Sequence, residues 1–513
     1  MLASAGPTHL PPETRHMTDP ERQPVIVGIG QINDRPEDWR DGLDALGLME
    51  AALKRAETDA GGSWLPDLDH LATVDQLSCP ELTTLAADLA ERIGATEASV
   101  ETTEMPHGDS PVRLLNDAAN RIGAGEARII AIAGGEALRT AAQRAKDGAA
   151  GMRPGDILRG APKRKGNPYR ASFGLTAPVD LYPIYENATR AAWGQSLGEG
   201  QAETGAIWSR MAQVAAETEG AWIRKGATAE EVITPGPENR PIAHPYTKLM
   251  VANASVNQGA GFIVTSLAEA RRRGVADYRV VHVGYGAAAK EPAEFLDRAS
   301  YDRSPSMEAV LKATLDFNGL EVGDLTHAEL YSCFPCVPKM ARRILGWPAD
   351  RPVTVFGGLT FGGAPVANYM GHAIVCMVAL LRGTPDKGLA YGNGGIVTTN
   401  HAILLSGAPL DGVRFPQDYD VQDRADAARG PVPALDERYA GPVTVESWTV
   451  HYGRDLRPLR GVIVARTPDG KRTLGLVPAT ESVAIRALTD GAVEIVGRSG
   501  RIKTTDEGRI FRF

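Results

Sequence analysis

Two cysteines at Cys-x-x-Cys spacing, Cys333 and Cys336, are the first residues in this chain whose type and spacing suggest chemistry. That spacing serves redox dithiols and zinc sites. No second Cys-x-x-Cys or paired histidines accompany it, so a full tetrahedral ligand set is missing and no metal is expected. The strand that leads into a thioredoxin-type motif on a small domain is missing too, which leaves Cys333 either as a nucleophile or as a buried thiol. Three histidines are candidate acid–base groups. His372 lies just inside an apolar helical run, where a satisfied core histidine is the competing reading. His107 precedes Gly108-Asp109-Ser110, whose Asp and Ser can cap a following helix, and His401 follows the glycine-rich stretch at 392–395. A basic loop, 159–170, with Lys163, Arg164 and Lys165, can attract a nucleotide phosphate through charge or stand as a solvated surface loop.

These residues must be positioned by elements that the apolar pattern outlines. Residues 25–30 read as a buried strand and 44–56 as a helix; 110–122 places Val112, Leu115, Ala119 and Ile122 on one helical face, and 127–133 is a short buried strand ended by Gly134-Gly135. The rhythm restarts later, with a strand at 279–283, a helix at 306–317, a strand end at 328–331 and helices at 337–345 and 371–381. Such alternation predicts a layered α/β fold. Between about 139 and 240 a separate stretch carries Tyr182, Trp193, Trp208 and Trp222 on helical segments. Beyond Pro416 an acidic segment ending in Gly430-Pro-Val-Pro433 reads as a linker. Short alternating runs at 443–450, 459–465, 472–478 and 492–497, separated by turn signals, predict a small all-β barrel or sandwich, with the oligonucleotide-binding shape as one form it can take. That shape does not itself imply nucleic acid.

Composition narrows the function classes. A hydrophobic fraction of 43%, a charged fraction of 23% and a net charge of -8 describe a globular chain with neither a nucleic-acid footprint nor a polybasic membrane patch. No apolar run reaches the ~18 residues of a membrane span, and the polar leader, 1–21, has no secretory h-region. With four cysteines, a reducing, cytoplasmic location is expected.

Three segments carry a family resemblance: Gly125-Glu-Ala-Arg-Ile-Ile-Ala-Ile-Ala-Gly-Gly-Glu-Ala-Leu138, Lys248-Leu-Met-Val-Ala-Asn-Ala-Ser-Val-Asn-Gln-Gly-Ala260 and Gly357-Gly-Leu-Thr-Phe-Gly-Gly-Ala-Pro365. With the strand at 24–30 and the Gly392-Asn-Gly-Gly395 loop, they occur in the order of thiolase segments, so residues from about 22 to about 425 resemble the thiolase superfamily. The flavour is that of the sterol-carrier-protein-type thiolase-like proteins with an added C-terminal domain. The resemblance implies a duplicated five-layer fold: an N-terminal half at 22–265 with an inserted loop domain over the acyl-CoA pocket, a C-terminal half at 266–415, a linker at 416–440 and the small barrel at 441–513. Similarity between the two halves is too faint to display the repeat. A homodimer paired through the core sheets is the family default.

A thiolase makes and breaks carbon–carbon bonds with a nucleophilic cysteine at a helix start, a second cysteine that moves the proton, a histidine and oxyanion holes. Aligned on those motifs, this chain has Gly108 for the nucleophile, Ala364 for the histidine of Gly-His-Pro, Gly392 for the second cysteine and Tyr331 for the Asn of Asn-Glu-Ala-Phe. Substitutes stand nearby: His107, Cys333, His372 and His401 are the catalytic candidates. Gly358, Gly363, Asn393 and Gly394 are the candidates for holding a thioester, since glycines let backbone amides approach its oxygen; close loop packing explains them as well. The expected function is an atypical thiolase-like acyltransferase that takes coenzyme A, an acyl-CoA or a 3-oxo acid. A non-catalytic acyl-CoA-binding or scaffold protein, its C-terminal domain docking a protein partner, is the alternative.

Overall fold

The computed structural model describes residues 19–148 and 167–513. The basic triplet Lys163, Arg164, Lys165 and most of the polar leader lie outside the described residues. Eleven strands come before the linker: β1 (Pro24–Asn33), β2 (His70–Thr73), β3 (Ser99–Thr102), β4 (Ile129–Ala137), β5 (Pro241–Ala243), β6 (Tyr246–Thr247), β7 (Asn257–Ser266), β8 (Val281–Lys290), β9 (His327–Glu329), β10 (Lys387–Gly394) and β11 (Thr399–Ser406).

Nine of them form one sheet in the order β3-β2-β4-β7-β1-β8-β11-β10-β9. The duplication that similarity could not display is plain in this order. β1, β7, β4 and β2 follow one another with antiparallel, antiparallel and parallel pairing. β8, β11, β10 and β9 repeat the same sequence of pairings. The halves meet where β1 and β8 pair through Val25↔His282 and Ile26↔Val281.

Helices Ser110–Ala124 and Tyr369–Leu381 pack between the halves, each against strands of both. The composition of Tyr369–Leu381 fits that central place, because a helix apolar on all sides must be covered on all sides, whereas Ser110–Ala124 keeps Arg113, Asp117 and Arg121 on a partly exposed face. Leu114 and Ala118 are as buried as Val112 and Leu115 on the neighbouring face, and most of Tyr369–Leu381 is buried. Helix Ala45–Ala60 covers the N-terminal half from outside and helix Pro305–Phe317 the C-terminal half, completing the five layers. Pro111 in the first turn and Gly125 in the left-handed conformation (φ 75°) bound the first central helix. Its start departs from the capping expectation: Asp109 makes no side-chain cap and instead accepts a hydrogen bond from Thr399 Oγ1 at 2.6 Å.

Five more strands make the C-terminal barrel: β12 (Gly441–Tyr452), β13 (Pro458–Arg466), β14 (Arg472–Pro478), β15 (Ser499–Thr505) and β16 (Gly508–Arg512). They close in the order β12-β13-β14-β16-β15 and back to β12, with β14 and β16 parallel, which is the oligonucleotide-binding topology. Two details differ from expectation. A helix, Ser482–Thr489, lies between β14 and β15, and residues 492–497 form no strand. Glu494 accepts hydrogen bonds from the amides of Ile495 and Val496, both at 2.9 Å, and so offers that backbone an alternative to a ladder.

The barrel is tied to the rest of the chain. The β5–β6 hairpin extends its sheet beside β12. Ser447 Oγ donates to Ile184 O at 2.6 Å, and Arg190 pairs with Glu494 at 2.7 Å. The linker is also packed: Val421 N donates to Ala288 O at 2.9 Å, and a short helix, Gln422–Ala428, lies against Pro305–Phe317. Among the described residues no helix is long and apolar enough to cross a membrane.

Candidate active site

Three of the four positions that align with thiolase catalytic groups, Gly108, Gly392 and Tyr331, converge where the helix Ser110–Ala124 begins, while the Ala364 amide donates to Asn253 O. A Cβ built on Gly392 would lie 3.1 Å from both Asp109 Cα and Gly108 O. One on Gly108 would lie 2.5 Å from Tyr331 Cζ and would collide with the Tyr331 hydroxyl and the Asn393 carbonyl oxygen. The Tyr331 phenol therefore fills the volume that a nucleophilic side chain would need. Its backbone has φ 51°, and so does that of Val397 in the β10–β11 turn. Left-handed conformations at a bulky and a β-branched residue store strain of roughly 1–3 kcal/mol each and cluster at functional sites.

Around Tyr331 stand other buried hydroxyls. Tyr391 Oη donates to Asn400 Oδ1 at 2.5 Å, and Asn400 Nδ2 donates to Ser306 Oγ at 2.8 Å. Tyr182, from helix Pro178–Ala192, stacks on Phe334 with centroids 4.3 Å apart, while its hydroxyl donates to Gly395 O at 3.1 Å and accepts from Val397 N at 3.2 Å. Burial raises the Tyr331 hydroxyl well above the usual phenol range, helped by nearby Cys333 and Asp109. Burial also pushes the Cys333 thiol up to about 12, beyond what the neighbouring Tyr182 and backbone amides recover. The first cause wins, so Cys333 is a thiol at neutral pH.

Of the residues named from sequence, four gather here. His107 backs onto Gly394, whose Cβ would lie 2.8 Å from His107 Cβ and 2.7 Å from Asp109 Oδ1. Cys333 adjoins Tyr182, and Asn393 lies beneath Gly108 with Nδ2 buried and without a hydrogen-bond partner. Gly358 and Gly363 do other work. The Gly358 amide donates to Thr354 Oγ1 at 3.0 Å, and a Cβ there would press on Met211 and Ser332. A Cβ on Gly363 would run into the Gln258 amide, so this glycine, at φ 107°, serves close approach.

His372 is held away from the cluster, whereas His401 faces Gly392 across the β10–β11 ladder with its ring turned to Asn116. His372 Nδ1 bonds Gln31 Oε1 at 2.9 Å and its ring stacks on Phe356 at 5.0 Å; Phe356 touches Tyr369, and only Tyr369 meets Tyr331. His401 Nε2 bonds Asn116 Oδ1 at 3.2 Å beside Tyr419. Burial lowers both rings to about 3, which keeps them neutral. Sequence reading missed Tyr182, Tyr391 and Asp109 as members of the site. The only forward signal was Tyr331 itself, standing in the Asn-Glu-Ala-Phe position. All four cysteines are free and buried, and among the described residues no group of His, Cys, Asp or Glu gathers at metal-binding geometry.

Residues 420–507 match the thiolase-like protein type 1 additional C-terminal domain. A monomeric SCP2-thiolase like protein type 1 (STLP1) from Mycobacterium smegmatis is similar in structure over 97% of this chain and 100% of its own, with a TM-score of 0.81 and 28% identity. An Ltp2-ChsH2(DUF35) aldolase shares the fold over 76% of this chain and 99% of its own, with a TM-score of 0.59 and 19% identity. The human mitochondrial 3-ketoacyl-CoA thiolase in complex with CoA does so over 76% and 99%, with a TM-score of 0.53 and 15% identity. No curated protein matches the chain by sequence.

Proposed function

Since the chain is a thiolase-like protein with an additional C-terminal domain, we propose that it holds an acyl-CoA or 3-oxoacyl thioester beside Tyr331 and the Gly392–Gly395 loop without forming an acyl-enzyme. One observation carries the reading: the Tyr331 phenol fills the space of the nucleophile at Gly108. Acyl transfer through an enzyme thiol needs a thiolate at the substrate. Cys333 and Cys376 are both pushed up to about 12 by burial, and burial raises Cys336 well above the usual thiol range. The human thiolase of the same fold, described in complex with CoA, supports the ligand class. The neighbour from Mycobacterium smegmatis is described as monomeric, and this chain is likewise proposed to work as one subunit, in place of the homodimer that the family default implied.

Calorimetric titration of the full chain with coenzyme A, acetyl-CoA and acetoacetyl-CoA, with product analysis by mass spectrometry, tests the reading. Saturable binding with no acylated protein is expected. An acyl adduct on any cysteine would overturn it.

A second reading keeps catalysis. Strained backbone at Tyr331 and Val397 favours it, and an aldolase shares the fold. Cleavage of a carbon–carbon bond beside a carbonyl needs a donor for the developing oxyanion and a base, not a covalent thiol. Tyr331, kept protonated, would be the donor and His107 the base. Coenzyme-dependent cleavage of a 3-oxoacyl-CoA, lost in both Tyr331→Phe and His107→Gln, would establish it; cleavage that survives either change would exclude it.

A further inference from the structure

Behind the β10–β11 turn lies a cavity of about 250 Å³ that shares no lining residue with the cluster around Gly108. Its wall includes Arg298, Arg303 and Arg429, with Glu291, Ser300 and Tyr185. Arg298 is 2% exposed, and its Nη2 donates to Ile396 O and Thr398 Oγ1, both at 2.9 Å. Its Nε and Nη1 have no hydrogen-bond partner, and Glu291 Oε2 stands 3.9 Å from Nη1.

Glu291 is already engaged. Its Oε1 accepts from Ser306 N and Ser306 Oγ at 2.8 Å and from Ser304 Oγ at 3.1 Å, and its Oε2 accepts from Arg429 Nε at 3.1 Å. Arg429 also donates to Lys290 O at 2.8 Å and pairs with Asp426; Arg303, on the rim, pairs with Glu308 at 3.2 Å. The lining thus sets three guanidinium groups around one carboxylate whose lone pairs are largely taken, while Asp426 and Glu308, outside the lining, pair with Arg429 and Arg303 and leave Arg298 as the unanswered one. A buried guanidinium with two unanswered nitrogens is costly unless acceptor oxygens complete it.

We propose that this cavity binds a phosphate dianion, free or as a small monoester. Guanidinium forks match phosphate oxygens in geometry and charge. The volume lies below the ~300–1,000 Å³ of pockets that take drug-sized ligands, so it suits a phosphate group rather than a whole nucleotide. A bound anion would join Arg429 of the linker to Arg298, which holds the turn following Asn393, and so tie the barrel's tether to the candidate active site.

Calorimetric titration of the full chain with inorganic phosphate, glycerol phosphate and succinate, at matched ionic strength, tests this. One saturable site for either phosphate, weakened about tenfold or more by Arg303→Ala and by Arg429→Gln, is expected from losing one charge-assisted contact. Arg303 is on the rim, so its replacement keeps the test independent of folding; an unchanged thermal midpoint of the unliganded variant checks this. Absence of saturable binding, binding indifferent to Arg303→Ala, or succinate binding as tightly as phosphate would each overturn the proposal.

Discussion

At Gly108 any side chain meets the Tyr331 hydroxyl and, behind it, the Asn393 carbonyl oxygen, which is backbone and cannot rotate away. Gly108→Ala should therefore destabilise the protein by about 1–3 kcal/mol, the range for overpacking a filled interior, as read by urea unfolding. In a Tyr331→Gly background the same Gly108→Ala change should still cost part of that amount, and no cost there would show that the carbonyl is no obstacle. The Cys333 thiol, raised to about 12, should resist iodoacetamide at pH 8 in the folded protein and react on unfolding; rapid native alkylation in an intact-mass assay would contradict its burial. Glu329 behaves oppositely to a paired carboxylate. Burial raises it from 4.5 to about 7, beyond what its hydrogen bonds from Thr354 and Val355 recover. A raised acid gives stability that is full below its unfolded pKa and is lost as pH climbs through the folded value. Buried His372 and His401, lowered to about 3, run the other way, losing stability as pH falls below 6.5. The difference between Glu329→Gln and the parent isolates the first effect: the variant's thermal midpoint should decline less between pH 4.5 and 7.5, and parallel profiles would refute the assignment. The four motif departures were legible in the sequence because each is a residue substituted in a recognisable segment. That Tyr331 fills the gap at Gly108 was not, since the two meet only when the C-terminal half folds against the N-terminal one.

Elements were read with similar asymmetry. Strands β12, β13 and β14 follow from alternating residues between turn signals, helix Ser110–Ala124 from its one apolar face and helix Tyr369–Leu381 from its apolar run. What those elements dock against has no local signature. Arg472, fully buried, sends Nη1 from the barrel to Leu296 O at 2.5 Å and Arg298 O at 2.6 Å, while Nε and Nη2 hold Glu446 at 2.9 and 2.7 Å. In the sequence it is one more arginine after a turn. Removing it leaves Glu446 with Arg466 alone, at 2.6 Å, and leaves two core carbonyls unanswered. Arg472→Ala should cost about 3 kcal/mol, the lower end for breaking a buried pair, and should loosen the barrel from the core before either unfolds. Protease cleavage within 416–440 and a two-step urea transition are the expected signs; a single unshifted transition would mean that the barrel is held by its strand and helix contacts instead.

For the whole molecule, duplication survives in strand order although it has faded from the sequence. A layered core asks each position only to be apolar and of suitable volume, so two halves can drift apart in identity while keeping one topology. Among the described residues the nine strands leave two unpaired edges, and the one at β3 bears on oligomeric state. Ser99 and Thr102 are exposed there, Val100 is 44% exposed, and Glu101 sits among His70, Arg113 and Arg121 at 3.6, 3.7 and 3.6 Å. A short edge strand carrying charge is a common protection against edge-to-edge pairing. Pairing two copies here would bring two such ion clusters together and partly desolvate them, a cost that four-residue strands have little hydrogen bonding to offset. Light scattering coupled to gel filtration should give the mass of one chain across a hundredfold range of concentration. A two-chain mass that Val100→Lys splits would instead identify β3 as a dimer edge and return the protein to the family's default assembly.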